Sequence, residues 1–344
     1  MSFDPSGHAL VEEAPRGGST VERAPTEAGG SAVSGADSSW FVVLNPAGGR
    51  VDAGSTRRRI ERGLRAAGVE HEIGVSCAPG HAGTLVRDAF AQGWRRFAIA
   101  GGDGTAHQVV NGLLEAAPSG SSDAIVGILP LGTGNDWARS LGIPGRLEAA
   151  CQLLASGTSV PHDVGQATFM REGRSATRYF VNVAGAGFDG HVVRIVQGRL
   201  RGPWRYFQGL LIGARTFSAP DLSLSAGDLT HSGATLVVLI SIGRYIGGGM
   251  RVAPDASYDD GLFDVTIVRD MSAAMIAAHV PRLLVGSLAR SGWVSIARVA
   301  SVDLAGETDI EADGELLGHP PASFRILPRA LRVVVAGPAA RRQA

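Results

Sequence analysis

The sequence predicts an N-terminal α/β domain, with a parallel sheet flanked by helices, followed by a β-rich, sandwich-like domain. Apolar runs alternate with helical patterns between residues 40 and 158, as in βαβ units. From residue 159 to 337, short β-like runs follow one another and are separated by turn signals. The length of 344 residues, about twice that of a ~150-residue domain, also favours two domains.

The composition fits a globular protein with a sizeable core and limits its partners. Hydrophobic residues make up 44% of the chain and charged residues 19%. The formal net charge is zero, so no overall field attracts nucleic acid, and we expect no nucleic-acid partner. The two cysteines, Cys77 and Cys151, supply no disulfide framework, which fits a reducing compartment such as the cytoplasm.

Both ends of the chain are predicted to be tails. Residues 1–39 are rich in Gly, Ala, Ser, Pro and Glu and have no apolar core of a signal peptide, so we expect them to be disordered. Residues 338–344 form the second tail. No apolar stretch approaches the ~20 residues that a membrane span needs, so any membrane contact is expected to be peripheral.

The α/β domain, residues 40–158, is predicted element by element. Short apolar runs indicate strands, and two of the helical patterns end in a glycine, where a C-cap glycine belongs. In chain order the predicted elements are a strand at 40–44, a helix at 55–68, a strand at 69–75, a helix at 81–93, a strand at 95–100, a helix from Thr105, a strand at 124–130 and a helix at 137–141.

The β-rich domain, residues 159–337, is predicted from runs whose spacing is close to that of a sandwich. Helical patterns near 203–216 and 272–288 interrupt these runs. The predicted strands lie within 178–188, 221–229, 234–243, 261–268, 293–304, 323–328 and 331–337.

Glycine-rich loops follow three of the predicted parallel strands, at Asn45–Arg50, Gly101–Thr105 and Leu131–Asp136. Such loops meet at the carboxyl edge of a parallel sheet, where ligands bind. Glycine lets backbone N–H groups approach an anion, and a helix N-terminus adds favourable partial charge. We therefore interpret the loops as a phosphate cradle, with tight strand-to-helix turns as the alternative.

Phosphate binding in this chain would have to do without lysine. All 32 cationic side chains are arginine, which excludes the lysine of a P-loop, the protein-kinase lysine and a Schiff-base lysine. Asp103 and Asp136 stand within the glycine loops, where two carboxylates would repel phosphate unless a cation such as Mg²⁺ lay between them. As simple helix caps, these aspartates would need no cation.

Five motifs in this chain occur in a characteristic order. They are GGDGTAHQVVNGL (101–113), PLGTGNDWAR (130–139), NVAGAGFDG (182–190), YIGGGMRVAPDASYDDGLFDV (245–265) and EADGE (311–315). In this order the sequence resembles the diacylglycerol-kinase catalytic-domain family, which includes bacterial diacylglycerol and phosphatidylglycerol kinases, sphingosine kinases and ceramide kinases. The resemblance spans about residues 40–337 and implies the two-domain plan shared with NAD kinases, with ATP in the cleft between the domains.

The resemblance implies a set of nucleotide-binding residues that covers the glycine loops and one further strand end. These residues are Asn45, Pro46, Ala47, Gly48, Gly49, Ser76, Gly101, Gly102, Asp103, Gly104, Thr105, Ala106, His107 and Thr133. Mg²⁺ bound with ATP would also involve Asp103 and Asp136.

The resemblance further implies three sites in the β-rich domain. Asp313 matches the proposed proton acceptor, and Asp189 matches an aspartate near the lipid headgroup. The Asp260 carboxylate, with the carbonyls of Ser257 and Leu262, matches a Mg²⁺ site that is structural in bacterial members. From pattern alone, the Asp-Gly pairs at 260–261 and 313–314 are also typical of hairpin turns.

The stretch 198–215 mixes four arginines with Trp204, Tyr206, Phe207, Leu210 and Leu211. A basic amphipathic helix with aromatic residues is typical of a segment that lies in the membrane interface. An ordinary packed helix with solvated arginines is the alternative.

Taken with the resemblance, the sequence predicts a Mg²⁺- and ATP-dependent lipid kinase that transfers the γ-phosphoryl group to a lipid hydroxyl, with diacylglycerol as first choice. The protein is expected in the cytoplasm, peripheral at the inner face of the membrane. NAD kinase is one alternative, although its G-x-L-G-F-L segment is absent. A catalytically silent lipid-binding protein is another. The particular lipid, the role of the N-terminal tail, regulation and the oligomeric state stay open.

Overall fold

The computed structural model describes residues 38–46, 53–117, 123–199, 205–272, 274–276, 278 and 292–337. The predicted tails therefore lie outside the described residues, apart from 38 and 39. The same holds for residues 47–50 of the first glycine loop and for most of the helix predicted near 272–288.

A parallel sheet with strand order β4-β3-β1-β2 forms the N-terminal part. Its strands are β1 (Trp40–Leu44), β2 (His71–Val75), β3 (Arg96–Gly101) and β4 (Ile125–Pro130). The helices around it are α1 (Ala53–Ala66), α2 (His81–Ala91), α3 (Asp103–Ala116), α4 (Asp136–Ser140) and α5 (Leu147–Ser156). The predicted α/β class is confirmed.

Each face of this sheet has its own apolar core, which is why the strands read as nearly continuous hydrophobic runs. On one face, Phe97 and Ile99 of β3 pack with Val109 and Leu113 of α3. On the other face, strand residues such as Ala98 pack in one cluster with residues of α1 and α5. All five residues of β1 are buried as a result.

The C-terminal part is a sandwich-like arrangement of twelve further strands, two helices with described bounds, and helical residues at 274–276 and 278. These are β5 (Thr158–Arg171), β6 (Arg174–Phe180), β7 (Val183–Gly187), α6 (Phe188–Arg199), α7 (Arg205–Thr216), β8 (Asp221–Ala226), β9 (Leu229–Ser241), β10 (Tyr245–Ile246), β11 (Met250–Arg251), β12 (Phe263–Arg269), β13 (Val294–Val299), β14 (Ser301–Gly306), β15 (Ile310–Ala312) and β16 (Glu315–Val335).

Six of these strands close a ring, in the order β8-β9-β7-β15-β16-β14 and back to β8. The long strands β9 and β16 each pass from one layer to the other. The interior holds a cluster that includes Phe180, Phe263 and Phe324, all of which are fully buried. A closed ring leaves fewer exposed strand edges than two separate sheets would.

The last strand joins the two parts of the molecule. In β16, Arg332 and Val333 pair in parallel with Ile125 and Val126 of β4, so one sheet continues from the α/β part into the sandwich. Val333 also belongs to the core of the α/β part. The sequence patterns placed the run at 331–337 in the β-rich domain and gave no sign of this return.

Several elements differ from the sequence prediction. Helix α3 begins at Asp103 and has Gly102 as its N-cap, two residues before the predicted start. Strand β5 was not predicted because Pro161, His162 and Asp163 interrupt its apolar alternation. Helices α5 and α6 were also missed. The helix predicted near 203–216 is confirmed as α7.

Candidate active site

A cleft of about 490 Å³ lies between the α/β part and the sandwich. At one end it is lined by the second and third glycine loops, at the other by apolar side chains of α6, α7, β9 and β12, and between the two ends by acidic side chains. It therefore joins a polar compartment to an apolar one.

The second and third glycine loops pack directly against each other at the polar end. A Cβ atom at Gly132 would lie 2.4 Å from the Gly102 Cα atom and 2.7 Å from the Asn135 side-chain oxygen. Asn135 adopts a left-handed conformation with φ of 52° and closes its own loop, because its side chain accepts a hydrogen bond from the Gly132 N–H group and donates one to the Gly132 carbonyl. Close backbone approach therefore explains both glycines.

Only some of the predicted nucleotide-binding residues line this end of the cleft. Those that line the cleft are Asn45, Gly102, Asp103, Gly104, Thr105, Ala106 and Thr133. The Asn45 amide donates a hydrogen bond to the Thr105 hydroxyl, which ties the first loop to the second. Ser76 is buried at the end of β2, Gly101 is the last residue of β3, and Pro46 follows Asn45. Ala47, Gly48 and Gly49 lie outside the described residues.

Asp103 and Asp136 face one another across the third loop. A Cβ atom at Gly134 would lie 3.0 Å from Asp103 Oδ2 and 3.4 Å from Asp136 Oδ2. Asp103 Oδ1 accepts a hydrogen bond from the Trp137 N–H group. Asp136 Oδ2 accepts one from the Gly248 N–H group, whereas its buried Oδ1 has no hydrogen-bond partner.

Burial raises the pKa of both carboxyls. The pKa of Asp136 rises to about 6, with the nearby negative charge of Asp103 as the second cause. Burial likewise raises the pKa of Asp103. The Arg139 guanidinium, 4.0 Å from Asp136 Oδ1, offsets part of this repulsion. A divalent cation would remove the rest and would give Asp136 Oδ1, which accepts no hydrogen bond, a ligand, so the two residues fit Mg²⁺. Among the described residues, no group of three or more His, Cys, Asp or Glu side chains could hold a metal ion alone.

Asp313 lies at the turn between β15 and β16, in a left-handed conformation with φ of 51°. Its Oδ1 accepts hydrogen bonds from the N–H groups of Asn182 and Val183, and its Oδ2 accepts one from Val181. These bonds fix the carboxylate at the wall of the cleft. The residue thus has the geometry of a turn and also faces the cleft.

His107 contacts this carboxylate from the α/β part. It lies on α3, and its Nδ1 atom is 3.5 Å from Asp313 Oδ2. The Nδ1 atom is buried and has no hydrogen-bond partner within the described structure. The resemblance placed His107 in a nucleotide loop, whereas here it lies behind the cleft wall and beside Asp313.

Asp189 also lines the cleft, in the first turn of α6. Its carboxyl hydrogen-bonds that of Glu311, the central residue of β15. Glu311 was given no role by the sequence analysis, although it is the first residue of the EADGE motif. Its position two residues before Asp313 was the available signal, since residues i and i+2 of a strand share a face.

The loop around Asp260 places an arginine where the resemblance implies Mg²⁺. Asp260 Oδ2 forms an ion pair with Arg298 of β13, and Asp260 Oδ1 accepts a hydrogen bond from the Leu262 N–H group. The Arg298 guanidinium also lies 3.7 Å from Asp264. Both Asp260 oxygens are engaged, so a cation bound with the Ser257 and Leu262 carbonyls fits only if Arg298 moves away.

The apolar end of the cleft is built by α6, α7 and the sheet beneath them. Phe188, Val192 and Val196 of α6 pack with Leu210 of α7 and Leu236 of β9 in one cluster. Leu211 and Ile212, on the other side of α7, are 48% and 40% exposed. Trp204 lies outside the described residues. Within the described part of the chain, no helix has both the length and the apolar character to cross a bilayer.

Two family models together cover most of the chain. The diacylglycerol kinase catalytic domain matches residues 39–167. The YegS C-terminal NAD kinase beta sandwich-like domain matches residues 182–335. The first model covers the glycine loops, and the second covers Asp189, Glu311 and Asp313.

Relatives and solved structures agree with these matches. A probable lipid kinase YegS-like protein of Pseudomonas aeruginosa is 35% identical over 282 residues, which cover 78% of this chain and 86% of the relative. A diacylglycerol kinase of Bacillus subtilis is 26% identical over 300 residues, which cover 86% of this chain and 95% of the relative. The structure of a putative diacylglycerol kinase of Bacillus anthracis has the same fold, with a TM-score of 0.70 at 23% identity, over 88% of this chain and 98% of the other. The chain therefore belongs to the diacylglycerol kinase catalytic domain family.

Proposed function

We propose that this protein is an ATP- and Mg²⁺-dependent kinase that transfers the γ-phosphoryl group of ATP to a hydroxyl of a membrane lipid, with diacylglycerol as the first candidate. The observation that carries the proposal is the cleft, which joins the glycine loops to an apolar compartment through a row of carboxyl groups. A kinase for a water-soluble acceptor would have no use for the apolar end.

The nucleotide end would bind ATP through backbone groups. The glycine loops bring N–H groups and the N-terminus of α3 to one place, which favours anion binding in a chain without lysine. Asp103 and Asp136 would hold Mg²⁺ together with the phosphate oxygens. The ion, when bound, would neutralise negative charge on the phosphates as the phosphoryl group leaves.

The acceptor hydroxyl would meet the phosphoryl group beside Asp313. The three backbone N–H groups fix this carboxylate, which would accept the hydroxyl proton. His107 lies on that side and would stabilise the carboxylate in place. Asp189 would bind the polar head of the lipid, while the acyl chains would occupy the apolar end between α6 and α7.

Access to a bilayer lipid requires contact with the membrane surface. Helix α7 forms one wall of the apolar compartment and also exposes Leu211 and Ile212. We expect this helix to enter the interface and to place the compartment next to the lipid, with the protein peripheral at the inner face of the membrane.

Phosphoryl transfer can be tested with purified protein, radiolabelled ATP and either diacylglycerol in mixed micelles or NAD. We expect label on diacylglycerol with Mg²⁺ present and none with excess EDTA. Label on NAD alone would contradict the proposal and indicate an NAD kinase. Diacylglycerol binding without any transfer would indicate a silent lipid-binding protein.

A further inference from the structure

The side chain of Asn182, a buried residue between β6 and β7, connects two elements of the candidate site. Its Oδ1 atom accepts a hydrogen bond from the Ser140 hydroxyl at 3.1 Å, and its Nδ2 atom donates one to the Tyr245 carbonyl at 2.7 Å. Ser140 ends α4, and Tyr245 begins β10. The asparagine opens the motif at 182–190, in which no role was predicted for it.

The partners of Asn182 determine which way its amide points. The Tyr245 carbonyl can only accept a hydrogen bond, so the amide NH₂ group must face it. The Ser140 hydroxyl accepts a hydrogen bond from the Arg244 N–H group at 3.0 Å, which leaves its own proton for the amide oxygen. The reversed orientation would place two acceptor oxygens against each other at Tyr245.

Gly243 makes room for the contact between Asn182 and Ser140. A Cβ atom at this position would overlap Asn182 Oδ1 and would lie 2.9 Å from the Ser140 hydroxyl oxygen. The N–H groups of Gly243 and Ile242 both donate to the Asn182 carbonyl at 2.8 Å. The backbone and the side chain of Asn182 together therefore hold the segment that joins β9 to β10.

Two routes lead from Asn182 to Asp136. Along α4, Ser140 is four residues after Asp136, so the two side chains lie on one face of the helix. Along the β10–β11 hairpin, the Gly248 N–H group in the turn at 247–249 donates to Asp136 Oδ2 at 2.7 Å. The three glycines of this turn have φ values between 60° and 117°, a region that favours glycine. Both elements that position Asp136 are thus bound to one amide.

The backbone of Asn182 holds Asp313. The Asn182 N–H group donates to Asp313 Oδ1 at 3.0 Å, and the N–H groups of Val181 and Val183 complete the set of three donors. Asn182 therefore contacts the proposed proton acceptor directly. Through its side chain it also contacts the two elements that hold Asp136, a proposed Mg²⁺ ligand.

We propose that Asn182 is a positioning residue for phosphoryl transfer: its side-chain amide fixes the metal side of the cleft, at Asp136, relative to the acceptor side, at Asp313. The inference rests on the proposed kinase function and adds the residue that sets the separation of the two sides. Transfer requires reacting atoms ~3–3.5 Å apart, and a misplacement of about 1 Å can cost about 10²-fold in rate. The amide therefore acts on the rate of transfer and not on the binding of either substrate.

Asn182→Ala should separate kcat from the binding constants. The substitution removes both side-chain hydrogen bonds and retains the backbone N–H group that donates to Asp313. We expect kcat with diacylglycerol in mixed micelles to fall about 10- to 100-fold, whereas KM for diacylglycerol and Kd for ATP change about threefold or less. Ser140→Ala removes one of the two bonds and should lower kcat by about three- to tenfold.

Asn111→Ala is the matched control for these variants. Asn111 is as buried as Asn182, with 6% of each residue exposed. It also connects the two parts of the molecule, because its side chain makes two hydrogen bonds with the Tyr179 backbone, but it does not contact Asp136 or Asp313. We expect Asn111→Ala to lower the Tm about as much as Asn182→Ala does and to change kcat by about threefold or less.

A double-mutant cycle with Asp313→Asn distinguishes positioning from a general loss of structure. If Asn182 acts through the placement of Asp313, Asn182→Ala should lower the residual kcat of Asp313→Asn by about threefold or less, because the misplaced group no longer accepts a proton. The same fall in both backgrounds, or a kcat in Asn182→Ala that matches Asn111→Ala, would overturn the inference and leave the proposed function standing.

Transfer to no lipid by the parent would refute the proposed function and the inference with it. ATP binding reports whether each variant is folded. If Asn182→Ala fails to bind ATP, Ser140→Ala decides, since it retains Asn182, and a parent-like kcat in Ser140→Ala would overturn the inference.

Discussion

At the scale of single residues, Asp313 has two roles that its sequence context presents as alternatives. Its positive φ and the glycine that follows it are those of a hairpin turn. Its carboxylate nevertheless turns back onto the backbone at Val181–Val183 and borders the cleft. The turn conformation is what aims the carboxylate, so the structural role and the proposed role as proton acceptor support each other.

Replacing Asp313 tests that assignment. Asp313→Asn retains the side-chain size and one acceptor oxygen but lacks the basicity that removes a hydroxyl proton, so kcat should fall by about 10²- to 10⁴-fold. ATP affinity, measured by equilibrium binding, should change little, because the nucleotide loops are on other elements. The thermal unfolding temperature serves as the control for the lost backbone hydrogen bonds. Turnover within about twofold of the parent would reduce Asp313 to a turn residue.

At the scale of elements, α7 and β13 each have a surface feature that leads to a prediction. Helix α7 faces the lipid compartment on one side and solvent on the other, where it exposes large apolar side chains. Strand β13 supplies the arginine that neutralises the Asp260 loop. The local pattern at 198–215 predicted an amphipathic helix, whereas the contact of Arg298 with Asp260 could not be predicted, because it depends on which elements become neighbours after folding.

The exposed face of α7 predicts membrane binding. Leu211→Ser with Ile212→Ser removes apolar area that would enter the interface, so co-sedimentation with anionic vesicles should fall at least severalfold. Ile296→Ser is the matched control, since Ile296 is similarly exposed at 47% but lies on β13. Equal loss in the control, or unchanged binding in the α7 variant, would mean that α7 does not dock on the membrane.

The ion pair at Arg298 predicts how the sandwich responds to Mg²⁺ without nucleotide. Burial raises the pKa of Asp264, and the Arg298 guanidinium counteracts that rise, so the arginine already supplies the cation of this loop. Mg²⁺ should therefore leave the Tm of the parent nearly unchanged and should raise that of Arg298→Gln, in which Asp260 and Asp264 lack a counter-charge.

Arg325→Gln is the control for this measurement, because Arg325 pairs with Asp303 at an exposed site elsewhere in the sandwich. A rise in the Tm of the parent as large as that of Arg298→Gln would show that Mg²⁺ binds at the loop despite the arginine. That result would support the structural metal site implied by the family resemblance at Ser257, Asp260 and Leu262.

At the scale of the whole molecule, a buried ring stack connects the third glycine loop to the sandwich. Trp137 donates its indole N–H to His162 Nε2, and the His162 ring stacks on Tyr258 at 5.3 Å. His162 Nδ1 lies 2.5 Å from the Asp163 carbonyl, so it carries the proton. Trp137 follows Asp136, and Tyr258 lies two residues before Asp260, so the stack joins the third glycine loop to the Asp260 loop.

The stack predicts a contribution to stability that depends on pH. Burial lowers the pKa of His162 to about 4, below its ordinary value, so the unfolded chain binds a proton more readily than the folded one. The stabilisation from neutral His162 is complete above about pH 6.5 and is lost as the pH falls towards 4, by up to ~3 kcal/mol.

Denaturant unfolding of the parent and of His162→Gln at pH 7.5 and pH 4.5 measures this contribution. The glutamine can still accept the Trp137 hydrogen bond but does not titrate, so the difference in unfolding free energy between the two proteins should shrink at the lower pH. A difference that is the same at both pH values would contradict the assignment of a neutral, buried His162.

Much of the architecture could be predicted because it is local. The strands of the α/β part are short apolar runs, and their loops are marked by glycine and aspartate. The return of β16 to β4 could not be predicted, since it depends on pairing between residues about 200 positions apart, such as Val126 and Val333. The contacts of Glu311 and Arg298 could not be predicted for the same reason, because each of these residues contacts an acid on another element.

Transfer of phosphate from ATP to a lipid is measured most directly by the partition of label after incubation of the protein with radiolabelled ATP, Mg²⁺ and a total bacterial lipid extract. We expect the label to appear in the organic phase on a single neutral acceptor, to be absent without Mg²⁺ and to fall by about 10²- to 10⁴-fold with Asp313→Asn. Label confined to the aqueous phase, or organic-phase label that is undiminished in Asp313→Asn, would contradict the account.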